Sequence, residues 1–380
     1  MHTVEDLIRE EFRLDERIVY LNHAAVAPWP ERTANAVRAF AGENTRTGAK
    51  YYPQWTRKET ELREQLRELI NAPSVDDIAL LKNTSEALSV VASGIHWQAG
   101  DNVVSTDQEF PSNRIVWQAL DKHGVEFREV DINPPVDPEA ALLSACDKNT
   151  RLLTVSSVQY GSGIRLDLER LGAFCRKNKI LFCVDAIQSI GAHRLDVTAI
   201  GADFAMADGH KWMLGPEGLA VFYCSSNVRN KLELYQYGWH MVENASDYDA
   251  RDWEPARSAR RFECGSPNML AAHALSASVS LLLEVGIAEI ERRILQNTSY
   301  LVEKIREIDN ATLLTPVNAE RRAGIVTFTL AGQDMTRLHR HLLDNNVICA
   351  HRAGGIRFSP HFYTSQEKID NALEVLSIRN

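Results

Sequence analysis

The stretch Leu166-Asp167-Leu168-Glu169-Arg170-Leu171-Gly172-Ala173-Phe174-Cys175-Arg176-Lys177 passes through Asn178-Lys179 into Ile180-Leu181-Phe182-Cys183-Val184-Asp185. Its first part carries Leu168, Leu171, Phe174 and Cys175 on one face of a helix over Leu166–Lys177. Its second part is a short apolar run, Ile180–Val184, that closes on a carboxylate. The same alternation recurs from about residue 75 to 225, with further strands expected at Ile78–Leu81, Val103–Ser105, Glu126–Val130, Leu152–Val155, Phe204–Ala207 and Leu219–Tyr223. Strands alternating with helices predict the α/β class, a mostly parallel sheet flanked by helices on both sides. Functional groups in such sheets gather on loops beyond the C-terminal ends of the strands.

Outward from this region, Gln54–Ile70 reads as a charged amphipathic helix and Met269–Ile308 as one or two helices. From Leu313 to Asn380 a small α+β unit is expected, with strands near Ile325–Leu330 and Ile356–Phe358 and helices at Met335–Asn345 and Ser365–Ser377. Glu233–Arg261 has no clear period and many polar and aromatic residues, so it is either functional or an interface loop.

A chain of 380 residues exceeds one ordinary domain, and 44% hydrophobic with 24% charged residues is the balance of a globular protein with a large core. A formal net charge of -9 without any basic block argues against a nucleic-acid partner. No apolar stretch approaches the roughly 20 residues of a membrane span. The start Met1-His2-Thr3-Val4-Glu5-Asp6 lacks the basic and apolar regions of a signal peptide. The six cysteines form no C-x-x-C pair and several sit in apolar runs, so a reduced, cytoplasmic protein is expected.

Chemistry collects at the strand ends. In Ala207-Asp208-Gly209-His210-Lys211-Trp212-Met213-Leu214-Gly215-Pro216 a lysine stands between glycines, just ahead of an apolar run. An amine held in a partly apolar turn loses hydration, its pKa falls from about 10.4, and it becomes nucleophilic near neutrality, as a Schiff-base lysine must. The alternative is a loop lysine packed by its stem. In Lys82-Asn83-Thr84-Ser85-Glu86-Ala87 a strand gives way to a helix, and Thr84 is the expected N-cap. Such a terminus offers free N–H groups to a phosphate, or simply caps the helix. There is no Gly-x-x-x-x-Gly-Lys loop, which disfavours a nucleoside triphosphate.

Asp185 ends an apolar run, either as a turn former or as a buried carboxylate needing a cation. A protonated pyridine nitrogen is such a cation, and Gln188 would then reach the ring's phenolic oxygen. Phe110, in Asp107–Asn113, is suited to cover a ring face or to pack in the core.

Together these segments resemble the class V aminotransferase family of pyridoxal-phosphate enzymes, which contains cysteine desulfurases, C–S lyases, isopenicillin N epimerase and kynureninase relatives. Tyr20-Leu21-Asn22-His23-Ala24-Ala25 looks like the family's substrate-side motif, Thr84-Ser85-Glu86 its phosphate turn, and Val184-Asp185-Ala186-x-Gln188 its pyridine-nitrogen strand. Gly209-His210-Lys211 matches the Schiff-base lysine preceded by a phosphate-contacting histidine. Phe262-Glu263-Cys264-Gly265-Ser266-Pro267-Asn268 is similar to a segment whose hydroxyl, here Ser266, reaches the phosphate of the partner subunit's cofactor. Gly355-Ile356-Arg357-Phe358-Ser359-Pro360-His361-Phe362-Tyr363 is similar to the segment whose arginine holds the substrate α-carboxylate, a task that suits a bidentate guanidinium.

The resemblance implies pyridoxal 5'-phosphate as cofactor, an amino-acid substrate contacted by Arg357, Asn22 and His23, and a homodimer sharing its sites. It implies a large cofactor-binding domain over 17–265 and a small domain from 1–16 with 266–380. The reaction expected is at the amino-acid α-carbon, as an aminotransferase or a persulfide-independent C–S lyase. Desulfurases present a nucleophilic cysteine on a mobile loop and stack a histidine on the cofactor. Here Phe110 takes the stacking position, and Cys349 follows the apolar Val347-Ile348 at short range from Arg357, the setting of an inert thiol. A desulfurase using Cys349, an epimerase and a non-catalytic cofactor-binding assembly protein are the alternatives. His23, His240, His351 and His361 lie in loops able to face the cofactor, the simpler reading being hydrogen-bonded loop histidines. His339 and His341 point to different faces of one helix, so no metal pair is expected.

Overall fold

A computed structural model describes residues 3–133 and 136–377. Residues 1–2 and 378–380, the ends of the expected small unit, lie outside the described residues. In chain order the strands are β1 (Val19–Tyr20), β2 (Ile78–Leu81), β3 (Asn102–Thr106), β4 (Glu126–Val130), β5 (Thr150–Ser156), β6 (Leu181–Asp185), β7 (Phe204–Asp208), β8 (Ala220–Cys224), β9 (Ala311–Leu313), β10 (Val326–Leu330), β11 (Val347–Ile348), β12 (Ala350–Arg352) and β13 (Gly355–Phe358). The helices that matter for the site are α1 (Val4–Glu11), α2 (Glu31–Thr47), α3 (Tyr52–Leu69), α4 (Thr84–Gly94) and α5 (Ser112–Gln118).

The large sheet has seven strands in the order β2-β8-β7-β6-β5-β3-β4. Only β8 runs against the others, pairing antiparallel with both β7 and β2. All residues of β3, β7 and β8 are buried, because helices cover both faces. That double burial is why the strands read as unbroken apolar runs. The expected helix at Leu166–Lys177 is observed at Leu168–Asn178, capped by Asp167, whose side chain accepts from Arg170 N. Its Leu168, Leu171 and Cys175 are buried on the sheet. No single helix among the described residues is long and apolar enough to cross a membrane.

A second sheet, β12-β13-β10-β9, is antiparallel throughout. Three packings cross the expected boundaries at residues 16/17 and 265/266. Val19–Tyr20 pair with Val347–Ile348, α1 packs on α2, and the helix Met269–Val285 packs on α2 and α3. The last of these is rich in Ala and Ser, which lets it approach closely: a Cβ at Gly215 would lie 2.6 Å from its Leu275 Cδ1. An apolar face on Met269–Val285 is visible in the sequence, but its choice of neighbour is not.

Candidate active site

Five loops converge at the C-terminal ends of β2, β3, β5, β6 and β7. They line a cavity of about 280 Å³ whose wall includes Thr84, Ser85, Phe110, Asp185, Gln188, His210, Lys211 and Arg357. The sequence expectation about Thr84 is corrected in one respect. The N-cap of α4 is Asn83, in extended conformation with its side chain accepting from Glu86 N, and Thr84 is the first helical residue. Asn83 wins because its short side-chain oxygen reaches the third helical N–H, which frees the Thr84 hydroxyl to accept from Asp208 N at 3.0 Å. Ser85 Oγ lies 2.7 Å from Ser112 Oγ.

Lys211 is placed by a rigid neighbour. Trp212 is fully buried and donates its indole N–H to Gln188 Oε1 at 2.7 Å. Its backbone runs so close to Gly191, at φ 93°, that a Cβ there would lie 2.3 Å from Trp212 O. Gln188 Nε2 donates to Ala24 O at 3.1 Å, tying the N-terminal loop to the same wall. Burial lowers the Lys211 pKa, partly offset by the Asp185 charge, and the nearby Arg357 and Arg352 guanidinium groups lower it further. Its Nζ sits 5.6 Å from the centroid of the Phe110 ring, which is half exposed over the cavity.

Asp185 is buried and accepts from Ile187 N at 3.1 Å, yet it makes no ion pair among the described residues. Burial therefore raises its pKa. Next to it, His210 Nδ1 lies 3.0 Å from Asp208 Oδ1, but in an orientation that leaves both atoms without a hydrogen bond. Arg357 is 1% exposed and donates from Nη1 to Tyr160 O at 2.8 Å, while its Nε is unpartnered. Burial pushes its pKa down to about 10. A cavity wall thus holds a buried carboxylate without a cation and a buried guanidinium without an anion. These residues fit a cofactor with a cationic ring nitrogen and a phosphate set at the α4 N-terminus, together with an anionic substrate.

The remaining expected residues stand elsewhere. Asn22 and His23 do not line the cavity; Ala24 and Ala25 do. His23 is fully buried, with Nδ1 donating to Ser359 O at 2.8 Å and Nε2 accepting from Tyr363 OH at 2.6 Å. Ser266 is exposed and lies off the cavity wall. His361 is buried against Trp212 O, and neither it nor His240 or His351 lines the cavity.

Cys349 is buried among Leu301, Phe328 and Phe358, and burial pushes its thiol up to about 12. The hairpin explains why. Ala350 pairs with Arg357 across it, so Ala350, Arg352 and Arg357 share one face, and Cys349 precedes that register by one residue.

Sequence reasoning missed Tyr160, Arg352, Asp208 and Glu109. Glu109, beside Phe110, is buried and accepts from Thr106, Asn113, Ser156 and Gln159, which anchors the Phe110 loop to β5. The only signal was position, each of these residues standing at or just beyond a strand end.

An amine, a carboxylate and a guanidinium thus gather at the carboxyl edge of a mostly parallel sheet. The chain belongs to the aminotransferase class-V family, whose profile matches residues 19–371. It is 33% identical to a probable cysteine desulfurase of Methanothermobacter thermautotrophicus over 97% of this chain and 96% of that one. The apo structure of a cysteine desulfurase from Thermococcus onnurineus superposes with a TM-score of 0.87 at 25% identity, covering 99% of this chain and 98% of that one. The cystine C–S lyase C-DES, solved with its product cysteine persulfide, matches with a TM-score of 0.88 at 24% identity, over 95% and 98% of the two chains. That last likeness speaks for the fold.

Proposed function

We propose that this protein is a pyridoxal-phosphate enzyme that breaks the carbon–sulfur bond of a cysteine-type amino acid. The observation that carries the reading is the single cavity in which Lys211, Asp185 and Arg357 are brought together. The bound cofactor would supply an electron-poor ring that accepts negative charge from the substrate α-carbon. Asp185 would hold the ring nitrogen protonated, and Phe110 would fix the plane of the ring. Thr84, Ser85 and His210 would hold the phosphate, and Arg357 the substrate carboxylate. The Lys211 amine, made less basic by burial, is the group suited to carry the α-proton.

The names of the relatives favour carbon–sulfur chemistry over transamination, and the burial of Cys349 favours a route in which that thiol takes no part. A homodimer in which Ser266 serves the partner's phosphate is part of the same proposal. It is supported by the exposure of Ser266 away from its own cavity.

The test is the product made from cysteine and S-substituted cysteines. Pyruvate with ammonia and a released thiol or sulfide, undiminished in Cys349→Ala and lost in Lys211→Ala, is the expected result. Alanine formed in a Cys349-dependent way would establish a persulfide desulfurase instead. Keto acid formed only when an acceptor keto acid is added would establish a transaminase.

A further inference from the structure

Lys211 is also held from behind. The chain leaves β13, where Arg357 stands, and continues through Ser359 and Pro360 to His361, whose ring is fully buried with its centroid 5.4 Å from that of Trp212. Phe362 N donates to His361 Nδ1 at 2.9 Å. That nitrogen is therefore the bare one, the ring proton stands on Nε2, and Nε2 donates to Trp212 O at 3.2 Å. Burial and the neighbouring His23 ring hold the His361 pKa well below the usual value, so the imidazole stays neutral in this tautomer.

The backbone of His361 is fixed in turn. Its N–H donates to Thr364 Oγ1 at 2.9 Å, and Thr364 N donates back to His361 O at 3.1 Å. Asn297, buried on the helix Ile287–Arg306, donates from Nδ2 to His361 O at 3.1 Å and to Thr364 O at 2.9 Å. On the other side of the contact, Lys211 O is bonded within its own turn, accepting from Leu214 N at 3.0 Å. Trp212 O is instead bonded to a residue 149 positions away. A Cβ at Gly191 would lie 2.3 Å from the same carbonyl, so it has little room to swing. Lysine carries its amine on a flexible four-carbon stem, and a tilt of the turn is amplified at Nζ.

We infer that His361, as its neutral Nε2–H tautomer, is a positioning residue for Lys211: through Trp212 O it registers the amine against the segment that carries Arg357. This rests on the reading of Lys211 as the cofactor lysine given above. Arg357 and His361 are four residues apart, so the group that would hold the substrate carboxylate and the group that aligns the amine belong to one rigid run of chain.

Asparagine and glutamine separate the two ring bonds. His361→Asn keeps an oxygen near the place of Nδ1 for Phe362 N but falls short of Trp212 O, whereas His361→Gln keeps an N–H near the place of Nε2. The readout is the rate at which cofactor-free protein is trapped at Lys211 by pyridoxal phosphate and borohydride, located by peptide mass and followed across pH about 6 to 10. His361→Asn should slow trapping near neutrality about ten- to a hundredfold. It should also move the midpoint of the pH profile up by about one unit, as the displaced amine regains water. His361→Gln should stay within about threefold of the unchanged protein.

A merely structural histidine would lower Tm in both variants and leave the midpoint in place. That result, equal slowing by both, or slowing by His361→Gln alone overturns the inference. Nitrogen NMR of the unchanged protein with isotope-labelled histidines checks it without any variant. It should show a ring whose bare Nδ1 is coupled to the Phe362 amide and whose Nε2 is protonated, and a proton on that Nδ1 overturns the inference. The expected trapping pattern with no thiol released from cysteine derivatives would keep the inference and remove the carbon–sulfur reading. Thiol release with Lys211 trapped equally fast in all three proteins would do the reverse, and no trapping at Lys211 in the unchanged protein would remove both.

Discussion

Arg63 and Arg357 are both guanidinium groups withdrawn from water, and the molecule treats them in opposite ways. Arg63 donates to Glu59 at 2.5 Å and to both oxygens of Glu263 at 2.6 and 2.7 Å, with a further bond to Ile78 O. Those two carboxylates outweigh desolvation and hold its pKa above the ordinary value. Arg357 has one carbonyl and an unpartnered Nε, and desolvation prevails. The first arrangement is complete in itself. It fastens the end of the Glu233–Arg261 segment to α3 and β2, since Glu263 also accepts from Leu80 N at 2.8 Å. The second has no anionic partner among the described residues. Glu59, His240 and Glu263 bring ligand atoms within 4.8 Å of one another, a grouping that could suit a metal, but Arg63 already supplies the charge they need.

The contrast breaks first at Arg63. Arg63→Met leaves two buried carboxylates unpaired and should cost about 3–5 kcal/mol in urea unfolding; a loss under about 1 kcal/mol would make the network ornamental. Next come the buried histidines. Burial lowers the His23 pKa to about 4 and pulls His361 down as well, so the unfolded chain takes up their protons first as pH falls. Stability present above pH 6.5 should therefore be lost between about 6.5 and 4, by roughly 3 kcal/mol for His23 alone. An unfolding midpoint flat over that window would contradict the neutral network around Trp212.

Arg357→Gln removes a charge that no described residue pairs, so folding stability should hold within about 1 kcal/mol while amino-acid affinity drops about ten- to a hundredfold. Destabilisation as large as that of Arg63→Met would erase the distinction. The smallest effect concerns the β12–β13 hairpin, which carries Arg352 and Arg357. Ala353→Gly removes a side chain from a left-handed position and should gain about 1 kcal/mol, seen as a raised Tm. A loss instead would mean that the Ala353 methyl group holds the turn against Gly161.

Much of the cavity was legible because its residues sit where apolar runs stop. Asp185 closes β6, Lys211 follows β7 and Phe110 follows β3, and each run was readable because both faces of its strand are buried. His23 was less legible. In sequence it belongs to a loop beside Ala24 and Ala25, but a bond to Ser359 O, 336 residues away, turns it into the interior. The reversed direction of β8 was equally hidden, since an apolar pentapeptide carries no sign of its orientation.

The sequence by itself determined the class of fold and singled out the lysine, carboxylate and arginine that line one cavity. It could do so because burial periodicity and motif order are local properties of the chain. Only the tertiary structure decided which buried charges are paired and which have no partner among the described residues. It also decided that Cys349 faces the core and that Arg352 stands with Arg357 at the cavity. Those outcomes depend on strand register, where a shift of one residue exchanges the buried face for the open one.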